Sequence, residues 1–72
     1  MKAKTTAQSQ NLIRLPEVER RVGVSGREIY RRVSAGNFPR PVKIGTRSIA
    51  WIEAEIDAYV ETKIAGRDAR PA

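Results

Sequence analysis

The tightest constraint in this sequence is the interval from Gly23 to Ser25, where Val24 alone separates the end of one helical segment from the start of the next. Upstream, Pro16 stands where a helix begins, because proline in the first turn gives up no needed hydrogen bond and already has a helical φ. Leu15, Val18 and Val22 then fall at i, i+3 and i+7, one helical face that Gly23 terminates. Downstream, Ser25-x-x-Glu28 has the pattern of a capping box, in which each side chain satisfies a backbone N–H at the helix start. Ile29 and Val33 supply the buried face of this second helix, and Gly36 stops it. Two short helices across so tight a turn make a helix-turn-helix.

Beyond Gly36 the run NFPRPVKIGTRSIAWI cannot be helical, since Pro39 and Pro41 hold the chain extended. Val42-Lys43-Ile44 and Ser48-Ile49-Ala50-Trp51 alternate around Gly45-Thr46-Arg47, which predicts a hairpin. Ile52, Ile56, Tyr59, Val60 and Ile64 mark one face of a third helix, with acids in its first two turns and Gly66 as its stop. Leu12 to Leu15 is too short to be a strand alone but can pair with the hairpin. The predicted class is therefore mainly α with a small β-hairpin, a winged helix-turn-helix in the order helix, helix, hairpin, helix. One domain is expected over residues 11–66, with polar tails expected to be disordered at 1–10 and 67–72.

A folding unit of about 55 residues is only marginally stable without a staple, and this chain has no Cys and no His. That composition removes thiol nucleophiles, the usual zinc ligands and the side chain best suited to proton transfer at neutral pH. Neither an enzyme nor a metal or other cofactor is expected. No long apolar run is present, so a cytoplasmic protein with no membrane partner and no small-molecule substrate is expected.

The formal net charge is +6, and its signs are segregated along the chain. Residues 20–50 carry Arg20, Arg21, Arg27, Arg31, Arg32, Arg40, Lys43 and Arg47 against the single acid Glu28. Residues 51–65 carry Glu53, Glu55, Asp57 and Glu61 against Lys63. A surface charged only for solubility mixes its signs more evenly. The basic stretch coincides with the second helix and the hairpin, the parts of a helix-turn-helix that meet duplex DNA.

With Ile29 and Val33 turned inward, Arg27 and Arg31 share the outer side of the second helix, with Tyr30 at their edge. Arginine there can bind guanine O6 and N7 or grip a phosphate, while Tyr30 and Ser25 can donate to phosphate oxygens. Lys43 and Arg47 flank the hairpin tip, where Gly45 lets backbone approach a phosphate. Trp51, Phe38 and Tyr59 are in phase with apolar neighbours and belong to the core. The carboxylates of the third helix suit the positive end of its dipole and are expected as a solvated face.

The ordered pieces Leu15-x-Glu17-Val18, Ser25 leading to Ile29-Tyr30-Arg31, Gly36-x-Phe38-Pro39-x-Pro41-Val42-x-Ile44-Gly45, and Arg47-Ser48 with Trp51 carry a resemblance over residues 12–60. In them the chain resembles the AlpA-type prophage regulatory proteins, small relatives of phage excisionases with an excisionase/MerR-like winged-helix fold. By position, the resemblance implies a recognition helix bearing Ser25, Arg27, Glu28, Tyr30 and Arg31, and a wing bearing Lys43, Thr46, Arg47 and Ser48. Two positions depart from the pattern. Gly26 stands where relatives often have a basic or polar residue, which weakens contact at the helix start. Arg32 stands where an apolar residue is common, and is expected to turn outward as a further phosphate ligand because an unpaired buried arginine is very costly.

The resemblance implies a sequence-specific double-stranded DNA-binding regulator of a prophage or genomic-island integrase or excision gene. An excisionase that bends attachment-site DNA is the alternative on the same surface, with further copies of the chain or an integrase as partners. An RNA-binding or protein-adaptor module is a third reading, disfavoured because Tyr30 is the only aromatic among residues 20–36 of the basic stretch.

Overall fold

The computed structural model describes residues 11–69, in which β1 (Leu12–Ile13), α1 (Leu15–Val22), α2 (Gly26–Ser34), β2 (Val42–Lys43), β3 (Ile49–Ile52) and α3 (Glu53–Ala69) follow in order. Three helices and an antiparallel hairpin form a winged helix-turn-helix arrangement, as the sequence predicts. Gly23 ends α1 at φ 86°, a left-handed conformation that costs any side chain with a Cβ, and its N–H returns to the Glu19 carbonyl. Gly36 ends α2 in the same region. Its N–H bonds the Val33 carbonyl and that of Asn37 bonds the Arg32 carbonyl, the paired contacts of a Schellman motif.

Antiparallel β3 is the middle strand of a three-stranded sheet in the order β1-β3-β2. The short N-terminal segment pairs with it, Leu12 opposite Ile52 and Ile13 opposite Trp51. On the other side Val42 faces Ala50 and Lys43 faces Ile49, and the Ile44 N–H closes the turn on the Ser48 carbonyl at 2.9 Å. No helix among the described residues is long and apolar enough to cross a membrane.

Helix α1 packs against α2, α3 and β3, which places the core between all of them. Val18, Ile29, Phe38, Trp51 and Ile56 form its buried cluster, with Ile13, Leu15, Val22, Val24, Val33, Ile49 and Tyr59 packed around it. The Trp51 indole N–H donates to the Pro39 carbonyl at 2.9 Å, so the buried ring also fastens the proline-held connection to the sheet. Phe38 meets Tyr59 with ring centroids 4.6 Å apart.

Three expectations need correction. Ile52 belongs to β3 rather than to the third helix, because α3 begins at the next residue with no intervening loop. Ile64 is 43% exposed rather than buried, since at that turn it lines an open depression with Val22, Arg21 and Arg32 instead of entering the core cluster. Gly66 does not stop α3, which continues to Ala69. A single glycine weakens a helix by about 1 kcal/mol without breaking it, and no proline or opposing contact stands there to end it. Arg67 and Asp68 are therefore helical rather than part of a tail. The remaining residues of the expected tails, 1–10 and 70–72, lie outside the described residues.

Trp51→Ala is expected to cost ~3–5 kcal/mol, most of the stability a domain of this size holds, and to leave little folded protein at 37 °C. Trp51→Phe keeps most of the ring but leaves the Pro39 carbonyl without its donor, and should lose ~1–3 kcal/mol while still folding cooperatively. Thermal melts of both variants check the order and the sizes.

Candidate functional site

The geometry of the site begins at the turn between α1 and α2. Ser25 caps α2, its hydroxyl accepting from the Glu28 N–H at 3.3 Å. The return half of the expected capping box is not made by Glu28, whose carboxylate turns to Arg31 and Arg32 instead. Another acid serves the helix start: the Glu19 carboxylate accepts from the Gly26 N–H at 2.5 Å. Gly26 is buried, and a Cβ placed on it would come within 2.9 Å of Leu15 Cδ2 and 3.0 Å of Glu19 Oε2. A side chain there would have to displace the ends of the Leu15 and Glu19 side chains, so the position faces the packed turn and not the outer surface.

From Ile29, fully buried, the outer side of α2 can be traced by its 100° step per residue. Arg27 and Arg31 point away from the core and are exposed, as the spacing predicts. Tyr30, 44% exposed, turns to the sheet side, with its ring 6.2 Å from that of Trp51. Arg32 turns the opposite way, to α3. Its Nη1 donates to the Tyr59 hydroxyl at 2.9 Å and its Nε to Glu28 at 2.7 Å. Arg32 is therefore a clamp between helices and not the freely outward ligand expected, because the half-buried position offers it a carboxylate for its charge and a hydroxyl for a further N–H.

Glu28 also receives Arg31, through Nε at 2.9 Å and Nη2 at 2.5 Å. The hydrogen bonds from Arg31 and then Arg32 hold its carboxyl at about 2, well below the ordinary 4.5. The one acid of the basic stretch is thus neutralised within the helix. Among the described residues Arg27 makes no ion pair, and its guanidinium stands exposed near the helix start.

On the hairpin, Lys43, Thr46 and Arg47 are all exposed, with Thr46 and Arg47 at the tip. Ser48 is half-buried, and its carbonyl closes the turn, so it serves the shape of the wing more directly than its surface. Tyr30 ties α2 to β3, the strand on which the hairpin is built, and so brings one edge of α2 and the wing to the same sheet.

Sequence reasoning missed the groups that hold this surface in place. Arg21 reaches Glu17 at 2.7 Å, Glu53 at 2.8 Å and Asp57 at 3.3 Å, joining α1 to α3. Glu53 and Asp57 are therefore partly engaged rather than a purely solvated face. Glu17, bonded by Arg20 and then Arg21, is likewise held at about 2. The four-residue spacings of Glu17 with Arg21 and of Glu53 with Asp57 were the available signals. Nothing local marked Glu19 as the partner of Gly26.

The family model described as prophage CP4-57 regulatory protein (AlpA) matches residues 11–64. The chain is similar to ORF88, an uncharacterised protein of Enterobacteria phage P4, at 36% identity over 58 residues, covering 81% of this chain and 66% of that protein. It thus spans just under two thirds of that relative's length. It is also similar to the DNA-binding transcriptional activator AlpA of Escherichia coli (strain K12), 31% identical over 58 residues, covering 72% of this chain and 83% of that protein.

Because Glu17 and Glu28 have folded-state values below their ordinary 4.5, their ionised forms support the fold above that pH. This support is lost as pH falls from 4.5 towards about 2. The melting temperature should be nearly flat from pH 7 to about 5 and should drop below that. Glu28→Gln should start lower at neutral pH and show a smaller acid drop, which a pH series of melts will reveal.

Proposed function

The chain belongs to the AlpA family of prophage regulatory proteins, and on that footing we propose that it is a sequence-specific double-stranded DNA-binding protein that regulates transcription of an integrase or excision gene of a prophage or genomic island. The observation that carries this reading is the outer face of α2. Arg27 is unpaired among the described residues, Arg31 and Tyr30 stand beside it, and Glu28, the acid of α2 itself, is already neutralised by two arginines. In a helix-turn-helix that face enters the major groove, where arginine discriminates guanine and tyrosine reaches backbone oxygens.

Arg31 reaches DNA by exchanging one partner for another. Its side chain is 68% exposed, and an ion pair so exposed contributes little, so leaving Glu28 for a base edge or phosphate costs little. Arg32 stays with Glu28 and Tyr59 and keeps Glu28 from repelling the duplex. Ser25 orients the helix start through its cap. Lys43, Thr46 and Arg47 extend the contact from the wing to the backbone, with Ser48 shaping the turn that presents them.

Selection of bound duplexes from a random pool tests the reading directly: a recovered pool without any common sequence would sink it. Footprinting at the attachment site and at the integrase promoter then places the regulated target. Arg27→Ala should leave the melt unchanged yet cost ~1–3 kcal/mol of cognate binding and relax base preference at one position. Arg47→Ala should weaken cognate and random duplexes by similar factors, with the salt dependence of log K shallower by about 0.9. Indistinguishable slopes for Arg47→Ala and the parent would mean that the wing is only a structural connector.

A further inference from the structure

Where α2 ends against α3, a depression of about 420 Å³ is lined by Arg31, Arg32, Asn37, Tyr59 and Lys63. Every one of these side chains carries a hydrogen-bond donor, and none is acidic. The Tyr59 hydroxyl accepts from Arg32, which leaves its own proton available for another acceptor. Lys63 lies over the Tyr59 ring at 5.2 Å and makes no ion pair among the described residues. Asn37 is exposed, its backbone N–H spent on the end of α2 and its side chain not. Even after Glu28 neutralises one of the two arginines, three cations meet one carboxylate at this place, and the surplus is positive.

We propose that this depression is a phosphate-binding site, in which Lys63 supplies an unpaired charge, Arg31 the Nη1 that its bonds to Glu28 leave over, and Asn37 and the Tyr59 hydroxyl the neutral donors that fix the anion. Donors converging from three separate pieces of chain, without an opposing acceptor, suit a tetrahedral oxyanion better than they suit water alone. The position also matters. Tyr30 faces the sheet and Arg32 faces α3, so the wing and this depression lie on opposite flanks of α2, with Arg27 between them and Arg31 at the rim of the depression. On the DNA-binding reading, on which this assignment of source rests, the ligand is a backbone phosphate across the groove from the one the wing reaches. A soluble phosphate is the other source of the same chemistry.

Two variants and two probes test the site. Lys63→Ala removes an exposed charge, and Asn37→Ala removes a neutral donor without altering long-range electrostatics, so a loss in the second reports contact. With duplex DNA, Lys63→Ala should make the salt slope of log K shallower by about 0.9, and Asn37→Ala should weaken binding roughly 3- to 10-fold, both with base preference retained and melts unchanged. With inorganic phosphate alone, titration followed by NMR should shift the Asn37 and Tyr59 resonances in the parent and not in Lys63→Ala. Duplex effects in both variants establish the backbone source. A phosphate response without any duplex effect supports the site but assigns it to a soluble phosphate, and this arm stands even should the chain bind no duplex at all. Unaltered duplex binding in both variants together with a silent phosphate titration would overturn the proposal.

Discussion

The fold depends first on how Trp51 is held. Trp51 is the largest side chain of the core and is fully buried in the middle strand of a three-stranded sheet. Around it, Ile13 fixes the N-terminal strand by register, Tyr30 brings the second helix to the sheet, and the Pro39 carbonyl binds the connection to the indole N–H. Burying tryptophan without a partner for that N–H would forfeit part of what its burial contributes. The carbonyl of a proline-held extended segment is a suitable acceptor because its own chain has no helix or ladder to join. One side chain thereby links the sheet, the second helix and the loop that separates them.

Charge divides the molecule along the same lines. Arg21 and Arg32 are half-buried and satisfied by carboxylates or a phenol, and each joins two helices. Arg27 and Arg47, by contrast, make no ion pair among the described residues and stand exposed. The net excess of cations is therefore concentrated in side chains that cost nothing to the scaffold when they engage a polyanion. Uniform sprinkling of the same residues would have given a basic protein without a basic surface.

Much of the architecture was legible because it is written in local chemistry. Gly23, Ser25 and Gly36 mark helix ends through backbone conformation and capping, and the structure uses all three. The hairpin followed from alternation around Gly45-Thr46-Arg47, and the segment from Leu12 to Leu15, too short to be a strand alone, could be read as able to pair with it, as Leu12 and Ile13 do. What was not legible depends on the third dimension. Gly26 reads as a weakened contact at the start of the recognition helix until Leu15 and Glu19 are seen beside the place a Cβ would take. Arg32 reads as an outward cation until Tyr59 arrives from a helix 27 residues away. The end of α3 was misjudged for a different reason: Gly66 lowers local propensity, yet nothing opposes continuation of the helix.

The direct passage of β3 into α3 has a mechanical consequence. With no loop between Ile52 and Glu53, and with the Glu53 N–H bonded to the Asn11 carbonyl at 2.7 Å, strand and helix form a single continuous piece tied at its junction. The hairpin tip is built on one part of that piece and Lys63 on another, so the span between them is fixed like the jaws of a caliper. In the proposed complex such a caliper responds to the width of the groove it straddles, and duplexes whose stacking sets that width to match are favoured at positions no side chain touches.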